Sequence, residues 1–266
     1  MTLSIAEKSY LYDSLTASPS IRPDGRKPHQ FRPIEVSTDF LPSSNGSSRI
    51  ISGDGSECIV SVKAKVIDHT LSDEELIQVD LDIAGERTDS PQVETLMSLL
   101  NKVLKSGPGF EHSRLQLTER YSFKIFIDIL VISSNCNPAS LISFAMFSAL
   151  NTTTLPKLIS SFDDLKVEEL PMFDDYDLVN LKLKSPLVFL LAIVGNNLIV
   201  DPDANESEVC DNAIIVTWLD GKIRSPIRTL TLNNSYSKGF DPTLLQKGLK
   251  LIEENAAAVL TALESS

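Results

Sequence analysis

FKIFIDILVISSNCNPASLISFAMFSAL, residues 123–150, joins a strand to a helix, and the rest of the chain has to be arranged around it. Phe123 to Ile132 is a nearly continuous β-branched and aromatic run, too apolar for a sheet edge and of the length of a buried strand. Asp128 interrupts it. A helix is then signalled by Asn137 as N-cap and Pro138 at the first helical position. Its Leu141, Ile142, Phe144, Ala145, Phe147, Ala149 and Leu150 wrap most of the cylinder, which predicts a central helix. A strand running into a helix N-terminus is a natural anion site, because unpaired N–H groups and the helix dipole point there. The connecting loop Ser133–Asn137 holds neither glycine nor a basic residue. The scaffold of a phosphate site is present without its chemistry.

The 266 residues suit one large domain or two packed subdomains, and 42% hydrophobic with 23% charged residues is ordinary for a soluble globular protein. The longest apolar run, Leu187–Val194, is of strand length and far from the roughly 18 residues of a membrane span. The N-terminal segment carries acids and no apolar core of a signal peptide. Cys58, Cys136 and Cys210 are scattered and odd in number, as expected of reduced thiols in an intracellular protein. With His29, His69 and His112 equally dispersed, no metal site or cofactor is expected. The net charge of −12 is uneven: residues 151–216 hold twelve acids against four lysines. A free-standing nucleic-acid binder would be basic, so any contact with RNA must run through a local patch or through partners.

Residues 3–15 can form an amphipathic helix with Leu3, Ile5, Ala6, Tyr10, Leu11 and Leu15 on its apolar side. A proline-broken arm follows, with Arg22, Asp24 and Arg26 expected to tie it down by Arg–Asp pairs. Arg49–Val66 reads as a hairpin turning on Gly53-Asp54-Gly55, and Gln78–Ala84 as a strand with Asp80 and Asp82 outward. Ser90-Pro91 starts a helix striped with Leu96, Leu99, Leu100, Val103 and Leu104 and closed by Gly107. Ser161–Asp177 is an acidic connection with interleaved apolar residues, expected to run along the surface. Two further hairpins, Leu187–Val200 and Ala213–Leu232, precede a last helix capped by Asp241-Pro242. Both halves thus run hairpins into helices, without a residue-level repeat.

No triad or P-loop is present. The segment from Asp201 to Glu208 clusters carboxylates after an apolar strand, and its residues alone leave open a Mg²⁺ site or a structural acidic loop. Several stretches carry a family resemblance: SIRPDGR (20–26), FRPIEVSTDFLPSSNGSSRII (31–51), GDGSECIVSVKAKV (53–66), NKVLKSG (101–107), YSFKIFIDILVISS (121–134), LPKLIS (155–160) and VGNNLIVDPDANESEV (194–209). Through them the chain resembles the RNase PH superfamily. Over essentially its whole length it is similar to the non-catalytic RNase PH-like ring subunits of the eukaryotic exosome, of budding-yeast type, related to the non-catalytic archaeal ring partner.

The resemblance implies an α+β fold of two β-β-β-α-β-α units packed as one globular protein. The expected divisions are an N-terminal helix and arm (1–30), a core domain (31–165), the acidic connection (166–186) and a C-terminal domain (187–266). Active relatives shorten RNA from its 3′ end with inorganic phosphate, using a Gly-Thr-Arg type loop and two aspartates six residues apart. Here Asn135–Ser140 occupies the loop position without an arginine. Asp201 matches the first aspartate, but Ser207 stands six residues on, and Glu206 beside it is expected to serve a structural turn. Losing charge-assisted phosphate contacts removes the main stabilisation of such a transition state, so the resemblance implies a vestigial site at Asp201, Glu206, Ser207, Asn135 and Asn137, and no enzyme activity.

What it implies instead is scaffolding in a hetero-hexameric ring with other RNase PH-like subunits. Cap subunits with RNA-binding domains and an associated processive exoribonuclease complete the assembly, and single-stranded RNA threads the channel. The role would be rRNA maturation and RNA decay in nucleus, nucleolus and cytoplasm. Lys102 and Lys105 match RNA-facing positions, with Arg114 and Arg120 as weaker candidates. The alternative is a share in a composite phosphorolytic or metal-dependent site at a ring interface. The charge disfavours an autonomous RNA-binding module.

Overall fold

A computed structural model of the chain describes residues 3–68, 75–105, 112–162, 170–183, 185–233 and 239–265. After helix α1 (Ile5–Thr16) come strands β1 (Ile34–Thr38), β2 (Gly46–Ser52), β3 (Glu57–Asp68) and β4 (Ile77–Ile83), helix α2 (Pro91–Lys105), strand β5 (Tyr121–Ser133) and helix α3 (Ala139–Thr152). The strands form one sheet in the order β1-β2-β3-β5-β4. Strand β4 runs parallel to β5, because the crossover through α2 returns the chain in the same direction, and the other pairs of the sheet are antiparallel. The glycine-rich turn at residues 53–55 joins β2 to β3 as its sequence demands.

The pleat sorts the side chains. Val60, Ile129 and Leu81 lie abreast on the inner face, as do Val62, Ile127 and Val79, all buried. Asp80 and Asp128 sit side by side on the outer face. The position of β5 inside the sheet follows its apolar run, yet its outward Leu130 and Ile132 stay 40% and 41% exposed. Only one face of the strand is buried. On the inner face α2 contributes Leu96, Leu99, Leu100 and Leu104, each worth about 1.5–3 kcal/mol of burial. Ser90 accepts at Oγ from Val93 N near the start of α2 (3.3 Å). Gly107 lies outside the described residues.

Helix α3 is the hub, buried almost all round. It begins at Ala139, one residue later than the cap rule predicts. Pro138 takes the N-cap place with an irregular backbone, while Asn137 Oδ1 still accepts from Ala139 N at 3.1 Å. One side packs on β2 and β3, the other on β8 (Leu187–Val194). Its serines make that second contact possible. Ser143 Oγ accepts from Val188 N (2.7 Å) and Ser140 Oγ from Leu190 N (3.1 Å), satisfying strand amides that would otherwise be buried unpaired. At the far end Gly46 meets the helix closely: a Cβ there would lie 2.4 Å from Thr153 Oγ1 and 2.7 Å from Ala149 O.

Directly after α3 the chain forms a ribbon of β6 (Thr154–Leu158) and β7 (Phe173–Asn180), so the acidic connection contains a strand that its composition does not announce. The second sheet has the order β11-β10-β8-β9, from β8, β9 (Asn197–Val200), β10 (Asn212–Leu219) and β11 (Lys222–Leu230). Short helix α4 (Ala204–Val209) follows β9, and α5 (Pro242–Glu264) closes the chain, with Asp241 accepting from Thr243 N. Helix α1 docks on this second sheet through Leu11 and Leu15, against Ala192, Val194 and Ile199. Ile5 and Tyr10, read as part of its apolar side, are 89% and 77% exposed. The stripe that packs is narrower than the sequence suggests.

Candidate functional site

Strand β9 ends at Val200, and Asp201 turns the chain with φ +50°, a left-handed conformation that an aspartate tolerates better than most side chains. That turn aims its carboxylate at the N-terminal arm. Oδ2 accepts from Arg32 N and Nε (both 2.9 Å) and from Arg26 Nη1 (3.2 Å), and Oδ1 from Arg32 Nη2 (2.6 Å). Arg32 Nη1 is held by Asp54, from the turn between β2 and β3. Burial by itself would raise the Asp201 carboxyl pKa; the hydrogen bonds and charge of Arg32, helped by Arg26, more than reverse that and hold it below the ordinary range. The Arg32 guanidinium is held correspondingly more firmly protonated, against the opposing effect of burial.

The loop between β5 and α3 spends its polar groups on structure. Ser133 Oγ donates to Gly55 O, Asn135 N to Ser56 Oγ and Asn135 Nδ2 to Asp54 O, pinning the loop to the β2–β3 turn. Cys136 Sγ accepts from Arg32 Nη2 (3.2 Å), and its thiol is pushed up by burial, a rise the neighbouring guanidinium only partly offsets. A cleft of about 140 Å³ remains beneath α5, lined by Asp201, Arg32, Cys136 and Asn137 at its polar end and by Phe31, Phe144, Leu141 and Val259 elsewhere. It is largely apolar. Both arginines that reach this region are already matched by carboxylates, and the remaining Nη2 of Arg26 is buried without an acceptor and outside the cleft.

The other acids of the segment point elsewhere. Glu206 is completely buried in a bidentate pair with Arg22, Nε at 2.8 Å and Nη2 at 2.7 Å, and it also accepts from Asp203 N at the start of α4. Arg22 fills its remaining donors with the carbonyls of Lys27, Gln30, Val200 and Asp201. Ser207 Oγ donates back to Asp203 O within α4 (2.8 Å), and Glu208 pairs with Lys8 (3.0 Å). Asp201, Glu206 and Glu208 are therefore each tied to a separate cation. Of the five positions that the resemblance assigns to a vestigial site, Asp201 and Asn137 line the cleft, Asn135 anchors its rim, and Glu206 and Ser207 face into the fold.

The basic candidates lie at the other end of the first sheet. Lys102 is exposed near the C-terminus of α2; the side chain of Lys105 is outside the described residues. Arg114 is exposed and donates to Lys182 O, while Arg120 pairs with Asp68 (2.8 Å) and stacks 5.2 Å from the Tyr121 ring centroid. Arg120 precedes β5 and Asn135 follows its end, so thirteen strand residues, about 40 Å, separate the two regions. The sequence reading passed over Arg32, Asp54 and Cys136 as site residues. The available signal was an irregular arm with arginines at 22, 26 and 32, which needs acidic partners, set against an acidic loop at 201–208.

Comparison with known proteins places the fold and the family. A model of the 3′ exoribonuclease family, domain 1 (RNase PH), matches residues 30–156. Exosome complex component RRP42 of Saccharomyces cerevisiae is 66% identical over 265 residues, covering 100% of both chains. Exosome complex component rrp42 of Schizosaccharomyces pombe is 28% identical over 95% of this chain and 90% of its own. An archaeal exosome core superimposes with a TM-score of 0.76 at 20% identity, over 97% of this chain and 96% of that one. A chain of the Archaeoglobus fulgidus exosome with RNA bound to the active site gives 0.76 at 19%, over 97% of each. With an RNase PH domain in its first half and a full-length relative at this level of identity, the chain belongs to the RNase PH family of 3′ exoribonucleases and their structural homologues.

Proposed function

We propose that this chain is a non-catalytic structural subunit of an exosome-type ring. There it supports 3′–5′ RNA processing and decay by joining other RNase PH-like subunits and guiding single-stranded RNA through the channel. One observation carries the reading: Asp201 is the floor of an arginine–carboxylate cluster. Its charge is spent on Arg32 and Arg26, so it is not poised over a reacting phosphate. The loop at residues 133–137 supplies no cation to replace them, and Ser207 faces away. A phosphate entering the cleft would meet apolar walls, the Asp201 carboxylate and an Arg32 already held by Asp201 and Asp54, so no uncommitted cation faces the charge that builds in the transition state. The relatives named as exosome components fit a subunit kept for assembly. Lys102 and Lys105 are the residues we assign to RNA phosphates, in positioning without base readout. Work in nucleus, nucleolus and cytoplasm goes with this role.

The test is a phosphate-dependent exonuclease assay on the purified chain, on its reconstituted ring, and on a ring carrying Lys102→Ala with Lys105→Ala. The expected outcome is no trimming assignable to this chain, with RNA protection weaker and less salt-sensitive in the double variant. Phosphate-dependent trimming that Asp201→Asn abolishes would refute the reading.

A further inference from the structure

The ribbon of β6 and β7 is built unlike the rest of the molecule. Among the described residues strand β7 pairs only with β6, and a two-stranded ribbon is marginal in water unless something covers it. Leu155 roots the ribbon in the core and Phe173 stacks on Phe123, but beyond that both faces of β7 are open. Ile159, Met172, Tyr176, Leu178 and Val179 are between 51% and 92% exposed. Large side chains at such fractions present on the order of 100–200 Å² each. Five such side chains together reach the upper end of the roughly 300–600 Å² of the largest apolar patch on a lone monomer, a good part of the ~800 Å² one partner gives to a standard interface.

From this surface we infer that the β6–β7 ribbon is the docking element for a different RNase PH-like subunit, one that presents an apolar patch rimmed with lysine or arginine. This rests on the ring reading above and adds to it the surface and the chemistry of the partner. Two features select that partner. Asp174, Asp175 and Asp177 stand among the exposed apolar side chains, with Lys157 paired to Asp177 at 3.2 Å. A second copy of this chain, docked about a two-fold axis, would set these acids against their own counterparts; a basic rim complements them. Asp174 Oδ1 also accepts from Tyr176 N (2.9 Å) and Asp177 N (3.0 Å), which bulges the strand away from its partner. Such a bulge blunts an edge against indiscriminate strand addition, so the contact runs through side chains.

The experiment measures binding of the full chain to each of the other purified RNase PH-like subunits of the same ring, by native mass spectrometry and interferometry. The variants are Tyr176→Ser with Leu178→Ser, and Asp175→Lys with Asp177→Lys. One subunit should bind the unaltered chain. The apolar variant should bind it at least tenfold more weakly, and the charge variant should associate more slowly with less dependence on salt. Both variants should melt within a few degrees of the parent, since the altered side chains are exposed. If the parent joins a ring partner and both variants join it equally well, the docking assignment is overturned while the ring reading stands. If the parent binds none of these subunits, both are overturned. A self-associating parent whose dimer is lost in the Tyr176/Leu178 variant would overturn the choice of partner.

Discussion

Asp201→Asn keeps the shape of the side chain and removes its charge. The carboxylate receives four hydrogen bonds of 2.6–3.2 Å from Arg32 and Arg26. An amide has one acceptor oxygen, and its NH2 group would confront a guanidinium donor. Removing one charge of a fully desolvated pair costs about 3–5 kcal/mol. The pair is 13% exposed and Asp54 keeps part of its hold on Arg32, which lowers the expected loss to about 2–3 kcal/mol. For a chain of this size that is a fall in melting temperature of about 4–12 °C. The penalty must also depend on pH with a definite sign. Because the folded carboxyl titrates below the ordinary range, its contribution is complete above about pH 4, where the unfolded carboxyl is ionised, and is lost as the pH falls through the folded value. Urea melts of parent and variant should differ by a constant amount from pH 7 to 5 and converge below pH 4. Equal stability at pH 7, or a gap that persists unchanged to pH 3, would refute the argument that Asp201 serves as an arginine clamp.

Arg22→Met should cost about 3–5 kcal/mol by leaving Glu206 buried and unpaired, and adding Glu206→Met should recover most of it, both read from denaturant melts. Gly46→Ala places a methyl group 2.4 Å from Thr153 Oγ1, so the helix end must move; a loss of about 1–3 kcal/mol is expected in the same assay. Cys58 and Cys210, with thiols pushed up to about 12 by burial, should resist alkylation at pH 8 until the chain unfolds, and peptide mapping should find Cys136 labelled first.

What could be read in advance follows from the range over which each signal acts. Period and turn chemistry are local, so the hairpins at Gly53–Gly55 and Asp220-Gly221, the stripe of α2 and the cap of α5 were legible. The central place of α3 was legible too, since only a helix covered on all sides tolerates Phe144, Phe147 and Leu150 around its circumference. Two kinds of feature were hidden. Strand β7 reads Phe-Asp-Asp-Tyr-Asp-Leu-Val-Asn, which looks like loop because its three aspartates break any apolar alternation. The pairing of Arg22 with Glu206 and of Arg32 with Asp201 depends on tertiary approach, and no periodicity encodes it. The amide-capping roles of Ser140 and Ser143 are equally invisible without β8 in place.

Helix α1 and its arm are made early and belong late. Leu11 and Leu15 rest on residues 192–210, Asn197 holds the carbonyls of Leu15 and Ala17, and Arg22 waits for a partner 184 positions downstream. At about 5–20 residues per second, translation leaves some 10–40 s in which this segment has been synthesised and its seat has not. During that window an apolar stripe and a cluster of guanidinium groups are open to chaperones and to other nascent chains. Contacts of such sequence separation also slow the final search. The arm thus acts as a latch on completion: a chain truncated before α4 keeps Ala192, Val194 and Ile199 as a seat for α1 but lacks Glu206, so Arg22 is left without its carboxylate.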